Sequence, residues 1–498
     1  MKRLSKKQMW IFAIGQLGWS TLGGIISAWL VTFFLPTAGD RDLGAVQYLI
    51  PGLIIGGFLT IIGLITALSR IFDAVTDPLI ASLSDRSKNK RGRRIPFMQV
   101  AAIPFAAITV LLFCVDFGKF DSQYGWLNIV WVSVMIVLFY FFMTMYCTPY
   151  NALISEFGKN QEDRMFISTA ISLTYFAGTL LAYTPFVFAG LLRGAVGFAW
   201  SYRICFIVLA VIACVCMLLP TFLLNEKEFV DAKPSNENMF KSLTATFKNK
   251  DFRTFSLSDI MYWVGLTMFQ TGLPFFVKVS MGFDASIVMV FMGGMTVLSA
   301  CFYPFVTKLV KKFGKKKLVI AGFLGLAICY AIAAVSSIPG LLPDEGNANW
   351  LSWVFGGLVM VISALPMALL GIIPQSIVAD VAEAEAKTTG ENREGMFFAA
   401  RTFAMKFGQS LAMLLFTSIA LIGGILIDSE GNVTTDAAQA SEIYPAKIGM
   451  VIVAIVAVVF CVLGAVILMF YREKKVMKTI AKKEDKEFFQ DEDKEEQK

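Results

Sequence analysis

Histidine is absent from all 498 residues. With no imidazole to titrate near neutrality, any proton chemistry falls to carboxylates, lysine or tyrosine. Charged residues are scarce as well, at 16% of the chain, against about 25% in an average soluble domain. The eight cysteines, Cys114, Cys147, Cys205, Cys214, Cys216, Cys301, Cys329 and Cys461, all lie inside apolar runs. They read as small buried hydrophobes, with neither a disulfide framework nor a metal-ligand spacing. No phosphate-binding glycine loop, zinc motif or nucleophile constellation is found, so the chain is not read as an enzyme and no cofactor is expected. A cleavable signal peptide is not expected either. Met1-Lys2-Arg3-Leu4-Ser5-Lys6-Lys7 leads into a full-length apolar run, not into a short apolar core followed by a small-residue cleavage site.

What the chain has instead is hydrophobic length. Hydrophobic residues make up 56% of it, and mean hydropathy is +0.66. Uninterrupted apolar runs of roughly 20 residues recur, the length that crosses a hydrocarbon core of about 30 Å. Solid runs rather than alternation argue for helices and against a strand barrel. The expectation is an all-α polytopic membrane protein with twelve spans, at 9–35, 46–69, 96–116, 126–149, 168–191, 203–224, 255–278, 285–308, 317–338, 350–373, 397–427 and 447–471. Lysine and arginine divide cleanly between the connections. One side receives the N-terminus, the 84–95 loop (Arg86, Lys88, Lys90, Arg91, Arg93, Arg94), the 225–254 segment, Lys311 to Lys317, the 380–396 loop and the tail from Arg472. The opposite loops hold few, such as Arg41, Lys119 and Arg193. Basic residues stay cytoplasmic, so both termini are expected there, in a multi-pass protein of the cell membrane. This topology accounts for the net charge of +7 and calls for no nucleic-acid partner. Lys474, Lys475 and Lys478, beside the last span, favour anionic lipid headgroups, so membrane lipids are expected partners. The acidic end, Asp491 to Glu496, reads as a solvated tail.

The longest cytoplasmic connection, Asn225 to Arg253, is polar and contains Lys233-Pro234-Ser235-Asn236. It divides the chain into an N-terminal six-helix bundle (1–224), a linker (225–254), a C-terminal six-helix bundle (255–471) and a charged tail (472–498). The loop from Asp428 to Tyr444 reads as a flexible polar feature on the far side, and its Asn432-Val433-Thr434 matches a glycosylation acceptor. The halves repeat each other. Asp77-Pro78 through Asp85-Arg86 precedes Tyr303-Pro304 through Lys311-Lys312 by 226 residues. In both copies a helix with proline near its end runs into a basic loop holding glycine, Gly92 or Gly314. Thr148-Pro149-Tyr150 precedes Ile373-Pro374-Gln375 by 225, and Met165-Phe166 has its counterpart in Met396-Phe397. Three matches in order argue for duplication, and two related bundles with a midplane site between them describe an alternating-access carrier.

One stretch breaks the repeat. Arg70, Asp73 and Asp77 share a helix face at spacings of three and four, at the end of the expected second span. Their equivalents in the second half are Thr296, Ser299 and Tyr303. An ionised group at bilayer depth costs roughly 2.5–3.5 kcal/mol, so three on one face of one copy point to function rather than architecture. Two carboxylates one turn apart repel, and a dry site either keeps one protonated or binds a cation. Lys406, midway along the eleventh span, is a second intramembrane charge and lies too far from either end to snorkel.

These residues carry a resemblance. Arg70-Ile71-Phe72-Asp73-Ala74-Val75-Thr76-Asp77-Pro78, with Asp85-Arg86 and Gly92-Arg93-Arg94-Ile95-Pro96, resembles the glycoside–pentoside–hexuronide:cation symporters of the major facilitator superfamily, which include the melibiose carriers. Ala379-Asp380-Val381, Asn392-Arg393-Glu394-Gly395-Met396-Phe397 and Lys406-Phe407-Gly408 resemble the family's second signature. The resemblance implies a coupling-cation site at Asp73 and Asp77, with Thr76 and Thr144 as neighbouring oxygen ligands. These oxygens suit Na⁺, and H⁺ is the alternative. It implies that Lys406 belongs to a central polar network. It implies a cytoplasmic gating motif in Asp85, Arg86, Gly92, Arg93 and Arg94, with Asp380 and Arg393 in the second signature. Glu156, Asp163, Asp380 and Glu383 are the expected acidic partners of the basic loop.

On the solute side the pattern departs from melibiose carriers. Their acidic residues in the first span and before the fourth-span proline fall on Ser20 and Cys147 here, and Ile171 stands nearest a missing fifth-span arginine. Arg70, Gln16, Trp19, Ser20, Tyr146, Cys147, Tyr150, Asn151, Tyr262, Trp263, Gln270 and Gln375 remain candidates for solute binding or coupling. The reading is a monomeric Na⁺- or H⁺-coupled symporter of a glycoside or a related small polar or acidic solute. A lysolipid-type carrier of the same fold and a non-transporting receptor or scaffold are the alternatives.

Overall fold

The computed structural model describes residues 3–50, 59–87, 89, 91–157, 161–229, 246–389, 394–428, 430–436 and 440–480. Most of the interhalf linker, Arg393 and the acidic tail lie outside the described residues. The chain is a succession of helices: α1 (Lys6–Phe34), α2 (Ala38–Asp42), α3 (Ile61–Arg86), α4 (Ile95–Cys114), α5 (Leu127–Phe157), α6 (Gln161–Ala182), α7 (Pro185–Val196), α8 (Phe198–Leu223), α9 (Glu226–Phe229), α10 (Lys250–Phe275), α11 (Ala285–Phe313), α12 (Lys315–Ser336), α13 (Trp350–Thr389), α14 (Glu394–Ile419) and α15 (Lys447–Met469). A capping box starts α1, with the Ser5 and Gln8 side chains each serving the other's backbone.

Ten stretches of the described residues are long and apolar enough to cross a membrane. Of the twelve expected spans, the two others fall on α3 and α14, the helices that carry Arg70, Asp73 and Asp77, and Arg401 and Lys406. Their charge keeps them below the apolarity of the rest, and the two pack on each other across the halves.

Five helix pairings recur in both halves. In the first, α1 packs on α6 and α8, α4 on α5 and α8, and α3 on α5. In the second, α10 packs on α14 and α15, α12 on α13 and α15, and α11 on α13. The duplication legible in the sequence is therefore a duplication of packing. Across the halves α3 meets α14, α1 meets α10, and α7 meets α11.

Three expectations need correction. The second span was expected at 46–69, but the helix begins at Ile61, after Thr60, whose side chain accepts from Gly63 N–H as its cap, and continues to Arg86. Leu43 to Ile50 are not helical. Hydropathy placed the span over the most apolar run, whereas the helix follows the charged face, which only a protein partner can accept. Asp73 and Asp77 consequently sit mid-helix rather than at an end. The eleventh span was expected to reach 427, but α14 stops at Ile419 and the turn beyond it holds Gly423 at φ +66°. The loop after Asp428 was expected to be flexible. It belongs to a three-stranded antiparallel sheet, β1 (Ile425–Asp428), β2 (Val433–Thr434) and β3 (Ala440–Tyr444), in the order β2-β1-β3. The sheet is pinned to the first half: Gln47 donates to the Ile443 carbonyl at 3.0 Å, and Glu442 pairs with Arg41 and Lys119.

Candidate functional site

Where α3, α5 and α14 converge, four ionisable side chains meet. Lys406 Nζ lies 2.8 Å from Asp73 Oδ2, 2.7 Å from Asp77 Oδ2 and 3.3 Å from the Asp73 carbonyl. Asp73 is fully buried, and Lys406 is 5% exposed. The Asp77 side chain keeps 25% of its surface. From α5, Thr144 Oγ1 stands 2.6 Å from Asp73 Oδ1 and 3.2 Å from Asp77 Oδ1; its single proton serves one of them at a time. Thr148, one turn on, stands 3.5 Å from Asp77 Oδ1. Arg70 is 3.9 Å from Asp73 and lies over the Tyr140 ring, 4.5 Å from its centroid. Two acids and two bases sum to zero, which is how the fold tolerates them at this depth.

The other expected residues scatter. Thr76 is buried, but its hydroxyl donates to the Asp73 carbonyl of its own helix at 3.0 Å. Cys147 is buried within electrostatic reach of both carboxylates. Tyr146 donates to the Met217 carbonyl and Tyr150 to the Phe12 carbonyl, so both hydroxyls fasten the first bundle internally. Ser20 is turned onto Leu17 O, and Gln16 is buried. Asn151 and Gln375 are exposed, and Gln270 is half-buried. Trp19 faces Tyr175 at 6.1 Å, and Tyr262 packs on Trp263 at 5.2 Å.

Sequence reasoning missed two features of this region. Tyr175 of α6 and Tyr303 of α11, from opposite halves, are half exposed and lie within electrostatic reach of each other and of Tyr262. The second is an ion pair, Arg401 on α14 with Asp259 on α10, bidentate at 3.0 and 3.3 Å. Its signal was legible, because opposite charges within the seventh and eleventh spans need each other.

At the end of the bundles that carries the basic loops, Arg93 and Arg94 each contact Glu156 at 2.9 Å. Glu226, not foreseen, accepts from the backbone N–H groups of Arg93, Arg94 and Ile95 and so caps α4. Gly92 has φ +124°, and a Cβ there would strike the Glu226 carboxylate. The second half repeats the device: Glu473 accepts from Lys315 N–H at 2.7 Å beside Gly314 at φ +82°. Asp380 was expected beneath the first basic loop; it pairs instead with Lys315 of its own half at 2.5 Å. Glu383, expected there too, pairs with Lys387 one turn along its own helix. Both lie on α13, whose nearest basic partners are in the same half. The side chains of Asp85 and Arg86 lie outside the described residues.

At the far end the halves are fastened together. Lys278, 2% exposed in a widened turn that extends α10, lies 2.5 Å from Asp40 and 3.0 Å from Glu345, and donates to Thr37 at 2.9 Å. Burial raises the Glu345 carboxyl above the usual glutamate range; Lys278 opposes this and Asp40 adds to it.

Residues 11–474 match the family model described as MFS/sugar transport protein. The uncharacterized symporter YjmB of Bacillus subtilis is 26% identical over 440 residues, covering 83% of each chain. The isoprimeverose transporter of Lactiplantibacillus pentosus is 23% identical, over 84% of this chain and 81% of that one. Among solved structures, a D-xylose–proton symporter superposes with a TM-score of 0.61 at 13% identity, covering 94% of this chain and 98% of that one.

Proposed function

The chain belongs to the MFS/sugar transport family, and on that premise we propose that it imports a sugar or glycoside by cation-coupled symport across the cell membrane. The observation that carries this reading is the buried contact of Lys406 from one half with Asp73 and Asp77 from the other. A charge cluster straddling the interface of two duplicated bundles ties its occupancy to their relative position. Asp73 and Asp77, with Thr144 beside them, bind the cation; an all-oxygen set of two carboxylates and a hydroxyl suits Na⁺, with H⁺ the alternative. An inward Na⁺ gains about 2.3 kcal/mol per 100 mV of membrane potential, in addition to its concentration gradient.

The solute binds between the halves, on the aromatic surfaces of Trp19, Tyr175, Tyr262 and Tyr303, which suit the apolar face of a pyranose. The bundles 1–224 and 255–471 rock about this site as one monomer, with both termini cytoplasmic. Far-side opening requires Lys278 to part from Asp40. Arg93 and Arg94 with Glu156 brace the inner end of the first half. Asp77→Asn in proteoliposomes with an inward Na⁺ gradient abolishes uphill accumulation of pentoside and glycoside probes. Accumulation persisting in that variant overturns the reading.

A further inference from the structure

We propose that the Lys406 ammonium is a tethered competitor of the coupling cation, occupying its oxygen cage when the ion is absent and leaving it when the ion binds. This rests on the cation reading above, and four observations carry it further.

The first is the contact itself. The ammonium sits 2.7–3.3 Å from three oxygens, one from each carboxylate and one from the Asp73 main chain. Asp73 Oδ2 is fully buried and its close cationic neighbour is the ammonium, at 2.8 Å. A cation that takes this place must therefore meet the charge the ammonium now meets.

The second is charge. Arg70 and Lys406 already balance Asp73 and Asp77. A further cation entering with Lys406 in place leaves a buried excess of positive charge and sets two cations against each other. Exchange of the ion for the ammonium preserves the balance within the cage.

The third is ownership. Every cage oxygen belongs to the first half, on α3 and α5, whereas the ammonium belongs to α14 of the second. An arriving ion therefore replaces a bond between halves with one inside a half, and the α3–α14 interface loses a charge link.

The fourth is a way out. Asp73 is sealed, but Asp77 retains a quarter of its surface, so the cage is open on the Asp77 side. A lysine side chain has the rotatable length to withdraw in that direction. Once displaced, the ammonium faces the space between the halves as a three-proton donor to solute oxygens. Ion and solute then favour the same lysine-out state, and each tightens binding of the other by the same factor.

The test uses the full-length purified protein and Na⁺ alone, titrated against choline at constant ionic strength, with melting temperature as readout. Lys406→Met and Lys406→Gln are expected to lower the half-saturating Na⁺ concentration tenfold or more, because the competitor is gone. In the wild type, amidination of Lys406 by methyl acetimidate, followed by mass spectrometry, is expected to rise several-fold with Na⁺ and not with choline. A wild type that responds to Na⁺ while both variants bind it no more tightly overturns the competition and leaves the coupling site standing. Na⁺-dependent protection of Lys406 from the reagent overturns it equally, and does so without any variant that has to fold. A melting temperature indifferent to Na⁺ in all three proteins removes the Na⁺ site and the competition together.

Discussion

Lys406 and Lys278 each hold two carboxylates at the boundary between the halves, and they differ in which half owns the acids. Asp73 and Asp77 both lie on α3, opposite their lysine, so parting the halves strands two carboxylates together. Lys278 takes one acid from each side: Asp40 from the first half and Glu345 from its own. When the far end opens, Lys278 keeps Glu345 at 3.0 Å, and Asp40 keeps the Thr37 hydroxyl and backbone N–H at 2.9 and 3.1 Å. The outer cluster can therefore open and close without a substitute charge, whereas the Lys406 cluster needs one. On the proposals above, one works as a latch and the other as an exchange site.

The largest way to break this comparison is at the latch. Lys278→Met leaves a buried Asp40 facing the part-buried Glu345, and removal of one partner from a buried ion pair costs about 3–5 kcal/mol. The expected result is a large fall in melting temperature with the far end held open, read as labelling by an impermeant maleimide of a cysteine introduced at the far end outside the Thr37, Asp40, Lys278 and Glu345 cluster. A variant that is as stable and as closed as wild type removes the latch.

Next in size is the Asp259–Arg401 pair. Arg401→Lys keeps the charge but loses the two-pronged contact, and is expected to cost about 1–3 kcal/mol. Equal thermal stability would place that pair outside the structural frame.

A smaller effect separates two carboxyls of the far side by pH. Glu345 is raised above the ordinary glutamate value of 4.5, by burial first. The native state then holds its proton more tightly than the unfolded chain, so stability rises as pH falls through the raised value and levels below 4.5. Glu442 also feels burial, but hydrogen bonds from Lys119 and Tyr444 and the charges of Lys119 and Arg41 outweigh it and lower its carboxyl. Its contribution is present above 4.5 and is lost as pH falls through the lowered value. Glu345→Gln is expected to abolish the acid-side gain in melting temperature, and Glu442→Gln the acid-side loss. The same pH profile in both variants would show that neither group titrates as described.

The smallest effect compares the two copies of the inner cap. Gly92→Ala meets the Glu226 carboxylate directly, while at Gly314 the nearest Glu473 atom is 3.3 Å away. Both glycines have positive φ, where a side chain costs about 1–2 kcal/mol, so both substitutions destabilise and Gly92→Ala does so more. A larger loss at Gly314 would reverse the ranking of the two caps.

Much of the fold was legible because hydropathy, charge asymmetry and internal repetition are carried along the chain. The helices, their order, and the charged face confined to one half all follow from residue types at fixed spacings. The errors fell where solvent preference and tertiary packing disagree. Apolarity alone put the second span over 46–69, because a hydropathy average reads charge as a boundary. In the folded protein that charge marks the middle of α3, where Lys406 compensates it. Tyr146 and Tyr150 share a helix with Thr144, yet their hydroxyls are committed to backbone carbonyls inside the bundle. No spacing rule distinguishes those fates, because the partners come from α1 and α8.

By itself the sequence determined a membrane-embedded helical carrier made of two related halves, with Asp73, Asp77 and Lys406 as charges too costly to be idle. Only the tertiary structure decided that the ammonium sits between the two carboxylates and that Lys278 meets Asp40 and Glu345 at the far end. The physical reason is range. Periodicity and hydropathy act over a few residues of chain, whereas these contacts join side chains 329 to 333 and 238 to 67 positions apart and exist only once the helices have packed.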